Sequence, residues 1–427
     1  MKVRLLLTLE GLIGFAVPAR STGPEVISVI GWTTRRPFSS TRAGRNSVSA
    51  PKPNLEGDVL LLDPKTKFLS LTHADDTGLR ESRRRIRSES RPSATKPRKL
   101  LVLVAVVIAM ITSSTASAAP PTLTQLLTGL EGGSGSTVGP DGALYVTESA
   151  AGRISRVDPR TGEITTFASG LPKSIVGIGG AIDVAFIGGT AYALVTLVGP
   201  DVGGSDIVGI YRIDGPNSFT VVADIGEFAS NNPPGTPFDV ETGVQYALET
   251  YRGEFLVTDG HHNRVYRVTR AGEVSVLIAF GNIVPTGLET SGNTIYMAEA
   301  GPVPHLPQDG KMVSFKAKSP SATEVVASGA PLLVDVEFGR GRDLYALSQG
   351  DFGGGPAGSP AMPNTGSLVK VNGDGTFSTV VGPRTVVGPL NQPTSVEFIG
   401  NTAYVVTLTG EIWKVENPSG PPHGASH

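Results

Sequence analysis

The sequence predicts an all-β fold made of repeated four-stranded units. Glycine and proline account for 54 and 33 of the 427 residues, about one fifth of the chain, so turns must be frequent. From about residue 119 to 419, short β-runs alternate with Gly, Pro and Asp turns, and no stretch shows a convincing helical period. One hairpin pattern recurs six times, which indicates a repeat architecture.

Each unit opens with a hairpin between an inner strand and a second strand that carries an aromatic residue. The clear copies are 182–186 before 191–195, 334–338 before 344–348, and 394–398 before 403–407. Weaker copies begin at Thr137, Phe238 and Thr286. We expect the aromatic residues of the second strands to pack between neighbouring units. They are Tyr145, Tyr192, Phe255, Tyr296, Tyr345 and Tyr404.

A third strand follows each hairpin and alternates apolar with polar residues, as a half-buried strand does. The six copies begin 44 to 56 residues apart, at Arg153, Gly209, Arg264, Lys311, Ser367 and Glu411. A fourth strand follows the first five copies only, whereas 123–130 resembles a fourth strand with no preceding three. This pattern predicts a six-bladed β-propeller closed by an N-terminal strand, which removes two exposed sheet edges.

The residues before the repeats predict an export signal. Lys96, Arg98 and Lys99 precede an apolar run at 100–111, and Ala116 to Ala118 fit a cleavage site. The run is shorter than a membrane span, so we expect a bacterial protein that is secreted and has no membrane span after cleavage. The predicted parts are a disordered or wrongly assigned N-terminal extension at 1–95, a signal peptide at 96–118, the propeller at 119–419 and a flexible tail at 420–427.

Charge and cysteine content exclude several function classes. Residues 1–118 carry 19 basic and 9 acidic side chains, which leaves 17 basic and 29 acidic ones for 119–427. The acidic body argues against nucleic acid as a partner, because phosphate binding needs clustered Lys and Arg. The chain has no cysteine, which excludes a disulfide scaffold, thiolate catalysis and Cys-ligated zinc. Cations or neutral ligands fit this charge better.

The repeats resemble the ScyD/ScyE propeller family, which is named for scytonemin-biosynthesis clusters. The resemblance covers about residues 120–418 and is carried by the first unit: Gly-Pro-Asp-Gly-Ala-Leu-Tyr-Val-Thr-Glu at 139–148, then Gly-Arg-Ile-Ser-Arg-Val-Asp and Gly-Glu-Ile-Thr-Thr-Phe-Ala-Ser-Gly-Leu. It implies a secreted propeller, related to NHL and gluconolactonase-like six-bladed propellers, and it transfers no catalytic residues. Asp259-Gly-His-His-Asn-Arg-Val is similar to an NHL turn, in which we expect His261 and His262 to be solvated.

Six acidic residues are predicted to surround one mouth of the central channel. Three occupy the entries of inner strands and three end second strands, two positions that meet at the same face of a propeller. The first three are Asp183, Asp239 and Asp335, and the other three are Glu148, Asp259 and Glu299. Converging carboxylates could hold Ca²⁺ or another divalent cation. The alternative is structural, since Asp at such entries caps backbone amides and acids after strands are ordinary turn residues.

These observations predict a binding or accessory module for an extracellular small molecule or polymer, acting as a monomer. One alternative is a metal-dependent lactonase or hydrolase of the gluconolactonase kind, with a metal that polarises a carbonyl in the channel. Another is a protein-interaction scaffold that would use the variable loops 201–206, 231–237 and 353–363. No Gly-x-Ser-x-Gly elbow or phosphate-binding loop supports other catalytic classes.

Overall fold

The computed structural model describes residues 119–420, and within them 24 strands form six antiparallel four-stranded sheets. The predicted extension, the signal peptide and residues 421–427 of the predicted tail lie outside the described residues. Each inner strand contacts the inner strands of both neighbouring sheets, so the six sheets close into a ring. The fold of this part of the chain is a six-bladed β-propeller, as predicted.

The blades follow one another along the chain. Blade 1 contains β2 (Gly133–Val138), β3 (Leu144–Glu148), β4 (Arg153–Val157) and β5 (Ile164–Ser169). Blade 2 contains β6 (Gly180–Ile187), β7 (Thr190–Thr196), β8 (Gly209–Gly215) and β9 (Ser218–Asp224). Blade 3 contains β10 (Gln245–Tyr251), β11 (Glu254–Asp259), β12 (Arg264–Val268) and β13 (Val274–Ala279).

The other three blades repeat this order, and in each the first strand lies nearest the axis. Blade 4 contains β14 (Pro285–Ser291), β15 (Thr294–Glu299), β16 (Lys311–Lys316) and β17 (Ser319–Ser328). Blade 5 contains β18 (Leu333–Phe338), β19 (Leu344–Ser348), β20 (Ser367–Val371) and β21 (Phe377–Val381). Blade 6 contains β22 (Pro393–Ile399), β23 (Thr402–Thr407), β24 (Glu411–Glu416) and, as its outer strand, β1 (Thr122–Thr128).

The pairing of β1 with β24 confirms the predicted ring closure. The two strands are antiparallel and pair from Thr122 opposite Glu416 to Thr128 opposite Glu411, with one bulge after Gln125. Leu126 and Leu127 pack on a core that contains residues of blades 1 and 6, including Val146 and Ile412. The first strand therefore joins the two ends of the ring through both hydrogen bonds and apolar contact.

Aromatic residues pack between blades, as predicted. Tyr145 contacts Phe186 of blade 2 with ring centroids 4.8 Å apart, and Tyr345 contacts Phe398 of blade 6 at 4.7 Å. Blade 3 differs in detail: Leu256 occupies the register position of the other aromatic residues and Phe255 lies one residue earlier. Phe255 still packs on Tyr192 of blade 2, at 4.8 Å.

One helical segment interrupts the all-β pattern. Helix α1 (Ile225–Asn231) follows β9 directly, and the Asp224 side chain caps it by accepting a 2.7 Å hydrogen bond from the Glu227 N–H. Ile225 and Ala229 are fully buried, so two apolar residues one turn apart anchor this helix, which is too short for a helical period to show in the sequence. Over the described residues, no helix has the length and hydropathy of a membrane span.

Candidate functional site

Two of the three aspartates predicted at inner-strand entries, Asp183 and Asp335, link neighbouring blades. Asp183 accepts hydrogen bonds from the Val184 N–H at 2.8 Å and from the Leu248 N–H of blade 3 at 2.7 Å. Asp335 does the same in blade 5, accepting from the Val336 N–H at 2.9 Å and from Val396 of blade 6 at 2.8 Å. Both carboxylates therefore do what the structural alternative predicted, since they cap backbone amides.

A glycine of the preceding blade makes room for each of these aspartates. A β-carbon on Gly135 of blade 1 would collide with the Asp183 carboxylate, and one on Gly287 of blade 4 would lie 2.5 Å from the Asp335 Cα. Blades 1, 2 and 3 thus contribute the glycine, the aspartate and the capped amide in that order, and blades 4, 5 and 6 repeat the order. Around these aspartates, the two halves of the ring therefore have the same arrangement.

Four glutamates lie two residues further along the inner strands. All four lie at the same position of the inner strand, the one that pairs with the aromatic position of the second strand. Tyr145, Tyr296 and Tyr345 occupy that aromatic position in blades 1, 4 and 5. The residues at this position in blades 1 to 6 are Thr137, Ala185, Glu249, Glu289, Glu337 and Glu397. We call the four glutamates, which come from four consecutive blades, the glutamate arc. They retain accessible surface, although protein surrounds them closely, as expected for side chains that line a narrow channel.

Burial and mutual repulsion disfavour ionisation of these acids. Burial raises the pKa of Glu397 well above its usual range, and the nearby charges of Asp335, Glu289 and Glu249 raise it further. Burial likewise raises the pKa of Asp335 to about 7, although its backbone hydrogen bonds oppose the shift. The acids of the channel therefore titrate as a coupled group, in which each ionised carboxylate disfavours ionisation of the others.

Burial and neighbouring acids also affect the pKa values of the other three glutamates of the arc. Burial first and the Glu289 charge second raise the pKa of Glu249, and burial followed by the charges of Glu397 and Glu289 raises that of Glu337. Burial also raises the pKa of Glu289, where a hydrogen bond with Glu337 and the Arg342 charge act in the opposite direction. No ion pair reaches an acid of the arc, Asp183 or Asp335 within residues 119–420.

Tyr246 extends into the channel from blade 3. Its side chain packs against a core cluster that contains Val334 of blade 5 and Val396 of blade 6, so the ring spans the axis. Burial, followed by the charges of Asp335 and Asp183, raises the pKa of its hydroxyl. An aromatic face thus lies beside the aspartate layer of the channel.

The acids that end second strands are bound within their own blades. Glu148 accepts bonds from Arg153 at 2.8 and 2.6 Å, from the Glu131 N–H at 2.7 Å and from Ser155 at 2.5 Å. Burial opposes ionisation of Glu148, but these donors outweigh it and lower its pKa. Asp259 is fully buried and accepts bonds from the Val244 and His262 N–H groups and from the Tyr266 hydroxyl.

Glu299 occupies the same position in blade 4 but lacks such donors. It is only 5% exposed, and its carboxylate accepts no hydrogen bond from any described residue. The equivalent backbone N–H groups, those of Ile283 and Val284, donate instead to the Asn263 side chain at 2.9 Å each. Burial raises the pKa of Glu299 to about 7, and the charge of Lys311 opposes this shift.

Asp239 does not occupy an inner-strand entry, so that assignment was wrong. The third inner strand begins six residues later at Gln245, and the true copy of the repeat is Tyr246-Ala-Leu-Glu, in which Ala247 replaces the aspartate. Phe238-Asp-Val-Glu matches the repeat in residue type but lies in the loop after α1. There the Asp239 N–H donates to His261 at 2.8 Å, and the Asp239 side chain is exposed.

The prediction of a solvated histidine turn was wrong for His262. Its ring is 1% exposed, because one nitrogen contacts the Val240 carbonyl at 3.0 Å and the other contacts Arg264 at 2.8 Å. His261 accepts from two backbone N–H groups, those of Asp239 and Val240. The pair holds the loop that precedes β10.

The charge of Asp335 acts on Asp183, so the structure brings these two acids together. Glu148, Asp259 and Glu299 end strands of three different blades, and Asp239 lies in a loop. Among residues 119–420 no three His, Asp or Glu side chains are arranged as a metal-binding group. Sequence reasoning missed the glutamate arc, although Glu289, Glu337 and Glu397 belong to the repeats that define the blades. The signal was a Glu recurring two residues after the Asp position, on the same face of the strand.

No protein-family model matches the sequence, and no curated protein matches it either. Solved structures with a similar fold include virginiamycin B lyase from Staphylococcus aureus, at 15% identity over 69% of this chain and 98% of that one, with a TM-score of 0.44. A gluconolactonase from Xanthomonas campestris matches at 12% identity over 71% and 92%, with a TM-score of 0.49. The PQQ-bound aldose sugar dehydrogenase from Streptomyces coelicolor matches at 15% over 70% and 99%, with a TM-score of 0.44.

Proposed function

We propose that this protein is an exported, ScyD/ScyE-type propeller that binds an extracellular small molecule in its central channel. The observation that carries the proposal is the convergence of Asp183, Asp335 and the glutamate arc, whose charges act on one another, with Tyr246 beside the two aspartates. Buried carboxyls that repel one another destabilise a fold, so a site that gathers six of them calls for a compensating role. Ligand binding provides one, because a ligand can satisfy groups that the protein leaves unpaired.

The experiment is a thermal-shift screen of the full chain against sugars, lactones, amines and divalent cations. A compound that binds the folded state alone raises the melting temperature in proportion to ln(1 + [L]/Kd). We expect at least one class to stabilise the parent and to lose its effect in Glu337→Gln, while Glu324→Gln on the exposed outer strand β17 behaves as the parent. Stabilisation by a ligand that persists in all channel variants would reject the channel as the site.

A hydrolase remains the second candidate, and Glu299 is the observation that favours it. A buried carboxyl with a pKa of about 7 is suited to proton transfer at neutral pH. Turnover of gluconolactone or a homoserine lactone by the parent, lost in Glu299→Gln, would support this candidate. Calcium binding through the predicted acids stays a prediction, to be checked by metal analysis with Asp183→Asn and Asp335→Asn as variants.

Export is part of the proposal, and it rests on the basic residues, apolar run and Ala-Ser-Ala sequence before Ala119. In a bacterial host, the secreted protein should have its N-terminus next to Ala118. Replacing Ala116 and Ala118 with bulky residues should block this processing. An unprocessed chain that stays in the cytoplasm of cells producing the parent would contradict the proposal.

A further inference from the structure

We propose that the loop 351–362 of blade 5 is a hinged lid over one mouth of the central channel. The loop joins β19 to β20, and it leaves the ring at the face where the inner strands begin. The inference concerns access to the channel, so it goes beyond the proposed function and holds for any ligand of the channel. It follows from what the loop contacts, from how its two ends are fixed, and from how weakly its tip is held.

The tip of the loop reaches the opposite side of the ring. A β-carbon on Gly358 would lie 3.4 Å from the Cδ1 atom of Ile178, so the tip lies against this side chain. Ile178 comes two residues before β6, the inner strand of blade 2, and blade 2 is opposite blade 5 in a ring of six. Both ends of the loop belong to blade 5. The tip therefore lies over the mouth of the channel.

The two ends of the loop meet at a neck that hydrogen bonds fix. The Met362 N–H donates to the Asp351 carbonyl at 2.8 Å, which closes the segment into a compact surface loop. Two glutamines hold the Ala361 peptide from its two sides: Gln349 accepts from its N–H at 2.9 Å, and Gln392 donates to its carbonyl at 2.5 Å. Gln392 comes directly before the inner strand of blade 6, so the neck is bound to a second blade.

Apolar packing also holds the neck at the rim of the mouth. Ala361 is only 1% exposed and shares a small apolar cluster with Ala300 and Leu332. Val284 packs against the same cluster. Leu332 and Val284 come directly before the inner strands of blades 5 and 4. The neck therefore rests beside the inner-strand entries of three consecutive blades.

The tip, residues 353–360, is held much more weakly than the neck. Its one hydrogen bond among the described residues is internal, from the Ser359 N–H to the Pro356 carbonyl at 3.0 Å. The tip contains four glycines and no charged side chain, and nearly all of it is exposed. Glycine allows a wide range of backbone angles, and a segment with few buried contacts opens at little free-energy cost. A fixed neck with a weakly held tip is the arrangement of a hinged lid.

The lid covers the end of the channel at which Asp183 and Asp335 lie, because both aspartates are near the beginnings of their inner strands. A compound that enters or leaves by this mouth needs the tip to move. Opening of the tip should therefore control how fast a reagent in solution reaches the channel.

The test measures how fast fluorescein maleimide labels single cysteines placed in the full chain, which has no cysteine of its own. Ile178→Cys reports on the contact with the tip, and Ala247→Cys reports on the channel, at the position of the aspartates in blade 3. Each is measured with the parent loop and with residues 353–360 replaced by two glycines. We expect the shortened loop to raise both labelling rates by about tenfold or more, since it removes the cost of opening the lid.

A second variant keeps the tip and loosens the neck. Gln349→Ala combined with Gln392→Ala removes the two hydrogen bonds to Ala361 and should raise both labelling rates by about threefold to tenfold. Gly189→Cys is the control, because its turn lies at the opposite face of the ring and its β-carbon would meet no atom within 4 Å. It should be labelled at one rate with all three loops. Circular dichroism and melting temperatures check that every variant is folded.

Three results would overturn the inference. Equal labelling of Ile178→Cys with the parent and the shortened loop would show that the tip does not cover this residue. Faster labelling of Ile178→Cys with an unchanged rate for Ala247→Cys would show that the loop does not control access to the channel. Labelling of Ala247→Cys only with the shortened loop, and never with the parent or the loosened neck, would show a fixed plug instead of a lid.

Discussion

At the residue scale, three acids that occupy equivalent positions in three blades show that hydrogen-bond donors decide how readily a buried carboxyl ionises. Glu148, Asp259 and Glu299 each end the second strand of a blade. Four donors hold Glu148 ionised, whereas burial without donors raises the pKa of Glu299 to about 7. Two changes separate the sites. Lys311 and Val313 occupy in blade 4 the positions of the donors Arg153 and Ser155 in blade 1, and Asn263 accepts from the backbone N–H groups of Ile283 and Val284.

The exchange Glu299→Gln should therefore stabilise the protein above pH 7. The parent must ionise a buried carboxyl there, at a cost on the order of 3 kcal/mol for a shift from 4.5 to about 7, and glutamine avoids this cost. At pH 5 the variant should equal the parent within about 1 kcal/mol. Urea unfolding at pH 5 and pH 8 measures both differences.

Glu148→Gln is the matched comparison and should act in the opposite direction. Glutamine cannot balance the Arg153 charge, so we expect a loss of about 2 to 4 kcal/mol at pH 7. Equal effects of the two substitutions at pH 8 would show that donors do not distinguish the two sites.

At the element scale, the sequence predicted the existence of the inner strands well, but it predicted the bounds and the side chains of some of them poorly. The strands, the six blades and the closing strand could be predicted because short-range alternation and turn residues encode them. The third inner strand was misplaced at Asp239, since a matching tetrapeptide in the preceding loop concealed Tyr246-Ala-Leu-Glu. The glutamate arc was missed because each Glu is ordinary in its own strand, and only the closed ring brings the four together.

The closing strand should contribute to the stability of the whole ring. Removal of residues 121–130 deletes β1, exposes the edge of β24 and uncovers Val146 and Ile412. We expect a loss of several kcal/mol, from apolar burial at about 25 cal/mol per Å². Thermal unfolding measures the effect, and an unchanged melting temperature would refute a role of β1 in closure.

The glycine beside Asp335 provides a finer test of contact between inner strands. Gly287→Ala would place a methyl group 2.5 Å from the Asp335 Cα, a backbone atom, so blades 4 and 5 must separate locally. We expect a destabilisation of about 1 to 3 kcal/mol, as for overpacking in a core. Gly189→Ala is the control, because no atom lies within 4 Å of its added β-carbon. A denaturation midpoint equal in the two variants would contradict the close contact.

At the scale of the whole molecule, the ring combines strong apolar packing with an electrostatic cost at its axis. Tyr345 and Phe255 are completely buried between blades, and similar clusters occupy each interface between neighbouring blades. Near the axis the inner strands instead gather acids whose pKa values are raised by burial. The apolar packing between blades offsets the repulsion among these acids, so the ring can hold them close to one another.

Stability should therefore fall as the pH rises from about 5 to 8. Seven carboxyls have a raised pKa in the folded protein: Asp183, Asp335, Glu249, Glu289, Glu299, Glu337 and Glu397. Between their ordinary pKa near 4 and the raised one, the folded state binds more protons than the unfolded state, so each acid lowers stability by up to about 1.4 kcal/mol per pH unit. The lowered pKa values of His262 and His305 act in the opposite sense below about pH 6.5, but they are two groups against seven.

Melting temperatures at pH 5, 6, 7 and 8 measure this dependence of stability on pH, and the double variant Glu337→Gln with Glu397→Gln should make it weaker. A melting temperature that rises steadily from pH 5 to 8 would show that the channel acids ionise freely, and the electrostatic account of the channel would then fail.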